Sequence, residues 1–138
     1  MQLKFAHLAD YAAADAAGKL TLVGIFDIIW DQLKQRPVAF PPCYLAAGFT
    51  TSLAEGTEHD LEIRFVDADE TPLMDSIKGK LKFQPFGPGY PLRANIVIGF
   101  GPDALRVPDV GDYHFRFFID SQEVGEIPVS VLEPPPKA

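Results

Sequence analysis

With Cys43 as its single cysteine, the 138-residue chain cannot hold an internal disulfide. Nothing in the sequence therefore points to an oxidising compartment. No stretch approaches the roughly 18 apolar residues that a membrane-spanning helix needs. Positive charge is also in deficit, because 12 Lys and Arg against 19 Asp and Glu leave a formal charge of −7. Nucleic acid requires a basic footprint on the protein, so neither nucleic acid nor membrane is an expected partner. The densest basic group, Lys78, Lys80 and Lys82, alternates with apolar Ile77, Leu81 and Phe83 and reads as the solvated face of a strand.

Catalytic and ligand-binding patterns are equally scarce. His7, His59 and His114 lie far apart in the chain, and none has a metal-ligand spacing. His7 falls on the apolar phase of its segment and reads as a core or rim residue, whereas His114 reads as solvent-exposed. Cys43 stands between Pro42 and Tyr44 with no cation beside it to stabilise a thiolate, so it reads as a buried, inert thiol. No serine lies in a Gly-x-Ser-x-Gly elbow. The segments Gly87-Pro88-Gly89 and Gly99-Phe100-Gly101-Pro102 place prolines where a phosphate cradle needs backbone N–H groups. Asp67-Ala68-Asp69-Glu70 lacks the order and the distant Glu of a calcium loop, and reads as a charged turn. The expected protein is not an enzyme and takes no metal or organic cofactor.

What the sequence does have is alternation. Hydrophobic residues make up 47 % and charged residues 22 %, the balance of a globular protein. The length fits one domain, expected over residues 1–133, with a proline-rich tail at 134–138. Asp10 interrupts any apolar core of an N-terminal leader, which makes the cytoplasm the expected location. Period-2 patterns mark strands at Leu3 to Ala9, Glu58 to Val66, Leu73 to Phe83 and Leu92 to Phe100. Two more run from Tyr113 to Ile119 and from Val124 to Leu132, joined by Asp120-Ser121-Gln122-Glu123 as a hairpin. Tyr113, Phe115, Phe117 and Ile119 share one face of the first, and Ile127, Val129 and Val131 one face of the second. Cys43 to Leu53, rich in Ala and Gly, predicts a strand closely approached by another element. Tyr11 to Gly18 has room for one or two helical turns ended by glycine.

Lys19 to Trp30 is the longest apolar run. Its even positions, Leu20, Leu22, Gly24, Phe26, Ile28 and Trp30, form a complete core face. The odd positions Val23, Ile25 and Ile29 remain unexplained, as does outward-phase Phe118. Either the strand is covered on both sides, by Tyr11 to Ala17 or the proline-rich connection, or these four residues border an interface. Asp27 within the run reads as a charge that keeps its apolar neighbours from pairing with other chains.

About seven to nine strands without a long helical period give an all-β, antiparallel sandwich. Gly111 just ahead of Tyr113, which opens the penultimate strand, resembles the tyrosine corner of immunoglobulin-like Greek-key sandwiches. The predicted bond runs from the Tyr113 hydroxyl to backbone near Val107 to Asp109. Phe5-Ala6-His7-Leu8-Ala9-Asp10, followed by Asp15 and Gly18 to Asp27, resembles a family of small uncharacterised bacterial proteins. The later Gly111 to Val131 segment fits the same family. The resemblance implies a compact β-sandwich of unknown function and transfers no site residue. The function expected from the residues is a binding module for a protein partner, itself included, with Val23, Ile25, Ile29 and Phe118 as its contact surface in a homodimer. The alternative is a small-molecule or carbohydrate-binding sandwich using Trp30, Phe86 and Tyr90.

Overall fold

The computed structural model describes residues 1–136. Among the described residues the chain is all-β, with eleven strands: β1 Gln2–Ala14, β2 Leu20–Phe26, β3 Ile28–Trp30, β4 Val38–Ala39, β5 Cys43–Thr51, β6 Glu58–Asp67, β7 Ile77–Lys82, β8 Leu92–Phe100, β9 Arg106–Val107, β10 Gly111–Ile119 and β11 Gln122–Leu132. One 3-10 turn, Leu53–Glu55, follows β5. Eight strands are six residues or longer, which is the number that alternation can reveal; β3, β4 and β9 are too short to show a period. A four-stranded sheet has the order β2-β1-β5-β8, a five-stranded sheet β3-β11-β10-β6-β7, and β4 pairs with β9. All pairings are antiparallel except β11 with β3. The expected tail falls partly on residues 137 and 138, outside the described residues.

One core fills the space between the two large sheets. Phe115, Phe117, Ile63, Val129 and Val131 from the five-stranded sheet are fully buried, as are Leu45, Ala47 and Phe49 from the four-stranded one. Ring contacts join the layers, Phe49 to Phe117 at 6.0 Å and Phe100 to Phe115 at 6.2 Å between centroids. Each such side chain contributes about 1.5–3 kcal/mol on full burial, so this apolar layer dominates the stability.

Three expectations from the sequence are corrected here. Tyr11 to Ala14 is not helical but continues β1, whose partner in the hairpin is β2, with Ala14 opposite Leu20. The turn between them is built by Asp15, whose carboxylate accepts the N–H groups of Ala17 and Lys19, both at 2.9 Å, and by Gly18 at φ 79°. The second correction concerns His7, which is exposed and stacks on Phe5, while Ala6 and Leu8 enter the core. A bulge between Leu3 and Phe5 shifts the phase by one residue, a change that alternation counted from Leu3 cannot anticipate.

The third correction is in the Lys19 to Trp30 run. It is not one strand but two, β2 in the four-stranded sheet and β3 in the five-stranded sheet, with the crossover at exposed Asp27. Crossing between sheets exchanges the faces. Leu20, Leu22 and Phe26 are half-buried on even positions, but in β3 it is Ile29 that is buried, while Ile28 and Trp30 face out.

Candidate functional site

The four residues expected at an interface separate into two pairs. Ile29, at 7 % exposure, is a core residue for the reason just given. Phe118 is also buried, at 8 %, although it points away from the core. Its cover is local: the Arg64 guanidinium lies 4.1 Å from the ring centroid and that of Arg116 lies 5.6 Å away. Both therefore leave the candidate surface. Val23 and Ile25 are 56 % and 58 % exposed, and Tyr11, which the sequence reading did not single out, is 51 % exposed.

The register explains why these three stand together. Ile25 is opposite Ala9 and Val23 opposite Tyr11, so the three residues fall on one short stretch of the β1–β2 ladder. Beside them the Tyr11 ring meets Tyr44 edge-on at 5.6 Å. The hairpin does not simply extend the sheet. β5 lies between β1 and β8, yet Asn95 on β8 donates its Nδ2–H to the Gly18 carbonyl at the hairpin turn, 2.8 Å away. The arm thus folds back across the outer side of its own sheet. Small residues lie on this part of the sheet: Ala9 and Ala46 are fully buried, and a Cβ on Gly48 would come within 2.2 Å of the ring of Phe5, its neighbour across the β1–β5 ladder. Gly24, opposite Asp10, has φ 70°, which interrupts the extended backbone of the β2 edge.

The outer side of the five-stranded sheet has the opposite character. Glu58, Asp60 and Glu62 on β6 face Lys82, Lys80 and Lys78 on β7 as opposite-charge pairs across the ladder. Arg116 is bonded to Glu123 and Glu70, which raise its already high pKa, and Arg64 donates to Glu62 at 3.0 Å. His114, expected in solvent, is half-buried, with Nε2 3.4 Å from Glu70 Oε1 and Nδ1 3.9 Å from Glu126 Oε2.

Two titratable groups inside the fold are bonded to partners distant in sequence or at its edge. His59 is buried at 7 % exposure; its Nδ1 is 2.6 Å from Asp120 Oδ2 and its Nε2 3.0 Å from the Gly56 carbonyl. Both ring nitrogens face acceptors, and the bond to Asp120 raises the pKa above its usual value, which favours the protonated ring. Asp120 in turn accepts the Asp60 N–H, which with His59 lowers its pKa, so the cluster ties the start of β6 to the β10–β11 turn. Nothing in the sequence signals this pairing of residues 61 positions apart. Buried Asp31, also unread in the sequence, is held by Arg36 at 2.8 Å, and Arg36 bonds Asp109 as well. Burial, with Asp10 adding to it, pushes the Cys43 thiol up to about 11.

Tyr113 and Gly111 form a corner at the start of β10. The Tyr113 hydroxyl donates to the Asp109 carbonyl at 2.6 Å, and Gly111 has φ 152°. The three aromatics considered as a binding platform do not converge: Phe86, Tyr90 and Trp30 line three separate hollows. Among the described residues no group of three His, Cys, Asp or Glu side chains is placed to hold a metal ion, and no helix is long and apolar enough to cross a membrane.

Residues 4–132 match the family described as "Family of unknown function (DUF6941)". The chain belongs to that family. No curated protein matches it. Among solved structures, it is similar to a Pseudomonas fluorescens alkylpurine DNA glycosylase, AlkC, bound to DNA containing an abasic site analog. That likeness has 10 % identity and a TM-score of 0.41, and covers 91 % of this chain but 30 % of the glycosylase. At that score it carries no argument about this chain.

Proposed function

We propose that this member of the family is a non-enzymatic interaction module with an immunoglobulin-like, Greek-key sandwich fold, which docks with a second copy of itself through the β1–β2 hairpin. The observation that carries the reading is the contrast between the two outer sides. The five-stranded sheet presents paired charges, while the hairpin presents Tyr11, Val23 and Ile25, each more than half exposed. A formal charge of −7 on each copy opposes association, and the exposed Asp10 carboxylate stands beside Gly24 within the patch, so the contact depends on Tyr11, Val23 and Ile25. The Gly24 kink disfavours pairing along the β2 edge, so the contact is face to face across a two-fold axis.

Magnitudes limit the affinity. Each of the three side chains is already about half buried, so docking adds about half of the ~1.5–3 kcal/mol that full burial contributes. Counted on both copies, that is about 5–9 kcal/mol, against an association cost of about 4–15 kcal/mol. At the favourable end of both ranges the surplus is about 5 kcal/mol, so the dimer is weak, with a dissociation constant of about 0.2 mM at best. Hydrogen–deuterium exchange at rising protein concentration tests the location. Slower exchange confined to residues 9–26 supports the docking surface, and exchange that does not change with concentration sinks it.

A further inference from the structure

A cleft of about 680 Å³ opens between the hairpin turn and the edge of the two sheets, lined by Asp15 to Lys19, Lys82, Gln84 to Phe86 and Arg93 to Asn95. That volume lies within the roughly 300–1,000 Å³ of small-molecule sites. Its charge is opposite to that of the protein. Lys19, Lys82 and Arg93 line it against one carboxylate, Asp15, in a chain of formal charge −7. The Asp15 Oδ1 atom is committed to the backbone N–H groups of its own turn. Lys82 stands 4.0 Å from Glu58, at the limit of an ion pair.

The cleft also has a planar platform. Phe86 is 58 % exposed, and the Arg93 guanidinium lies 5.7 Å from its ring centroid. The walls are fixed in place: Asn95 is bonded to Gly18, and Gln84 and Arg93 exchange two backbone hydrogen bonds at 2.8 and 3.2 Å. A site assembled before its ligand arrives loses less entropy on binding. We infer that this cleft binds a small phosphorylated ligand bearing a planar ring, with the phosphate held among Lys19, Lys82 and Arg93 and the ring stacked on Phe86. The site is independent of the docking surface, which lies on Tyr11, Val23 and Ile25.

Calorimetric titration of the full chain with adenosine monophosphate, phenyl phosphate, inorganic phosphate and adenosine tests the assignment. The two ligands that carry both ring and phosphate are expected to bind, and inorganic phosphate and adenosine alone at least about tenfold more weakly, since stacking on an aromatic platform and charge pairing each add a comparable share. Affinity for adenosine monophosphate should fall about tenfold or more in Lys19→Glu and in Phe86→Ala, both at exposed positions whose loss leaves the core intact, and should fall as salt rises. Lys78→Glu, which makes the same change of net charge outside the cleft, should leave it unchanged. Absence of binding at millimolar ligand overturns the inference. So does inorganic phosphate binding as tightly as the nucleotide, or equal loss in Lys78→Glu and Lys19→Glu.

Discussion

Replacing Tyr113 with Phe removes one oxygen and keeps the ring. In the structure that oxygen donates to the Asp109 carbonyl at 2.6 Å, while the ring is 5 % exposed and packs on Phe65 at 6.1 Å between centroids. The ring contacts survive the substitution, so the change isolates the hydrogen bond. A net contribution of about 0.5–1.5 kcal/mol is typical of such a bond. The freed acceptor belongs to Asp109, whose side chain is 66 % exposed, so water can reach the site and the larger penalty of a sealed, orphaned carbonyl is not incurred. Urea unfolding should then show a midpoint lowered by about 0.3–1 M, for a slope near 1.5 kcal/mol per molar, with the slope itself unchanged. The outcome that refutes the reasoning is an unchanged midpoint, which would mean that the corner is held by packing alone.

The remaining predictions concern other elements. His59 has its pKa raised by Asp120, so its stabilising effect is complete below about pH 6.5, the usual value, and is lost as pH rises through the higher folded value. Asp120 has its pKa lowered by the Asp60 N–H and His59, and its effect is present above about pH 3.9 and lost as pH falls through the lower folded value. Urea midpoints measured across pH should therefore decline on both sides, and His59→Gln should flatten the alkaline limb; an unaltered limb contradicts the clamp. Gly125→Ala places a Cβ 2.6 Å from Leu3 Cδ2 and 3.0 Å from Leu3 Cβ, so thermal unfolding should show a loss of about 1–3 kcal/mol from overpacking between β1 and β11. An unshifted melting temperature would show that β1 moves aside without cost.

Much of the fold was legible because most of its long strands have one buried face. Tyr113, Phe115, Phe117 and Ile119 on β10, and Leu61, Ile63 and Phe65 on β6, are buried as alternation requires. Two of the failures share one physical cause, a change of phase within a strand segment. The Leu3/Phe5 bulge moved His7 outward, and the sheet crossover at Asp27 exchanged Ile28 and Trp30 for Ile29. A one-residue slip inverts every assignment beyond it. Phe118 shows a different limit, because its cover comes from arginines on its own and a neighbouring strand, and composition does not disclose which charged side chain lies over which ring. The turn at Asp15 and Gly18 read as a helix end because glycine closes helices and hairpin turns alike. Of the candidate surface, Val23 and Ile25 were readable as apolar residues in excess of one core face. Tyr11 was not, since a tyrosine in an alanine-rich segment gives no sign of being opposite Val23.

The central claim is self-association through the outward side of the β1–β2 hairpin, and light scattering coupled to size exclusion tests it most directly. Over a series reaching hundreds of micromolar, the wild-type mass should rise from 15.2 kDa towards twice that value as concentration increases. Ile25→Asp places a carboxylate on each side of the two-fold contact and should hold the mass at that of one chain, with the urea midpoint little changed because Ile25 is 58 % exposed. A wild-type mass of one chain throughout the series, or a rising mass that Ile25→Asp leaves untouched, contradicts the account.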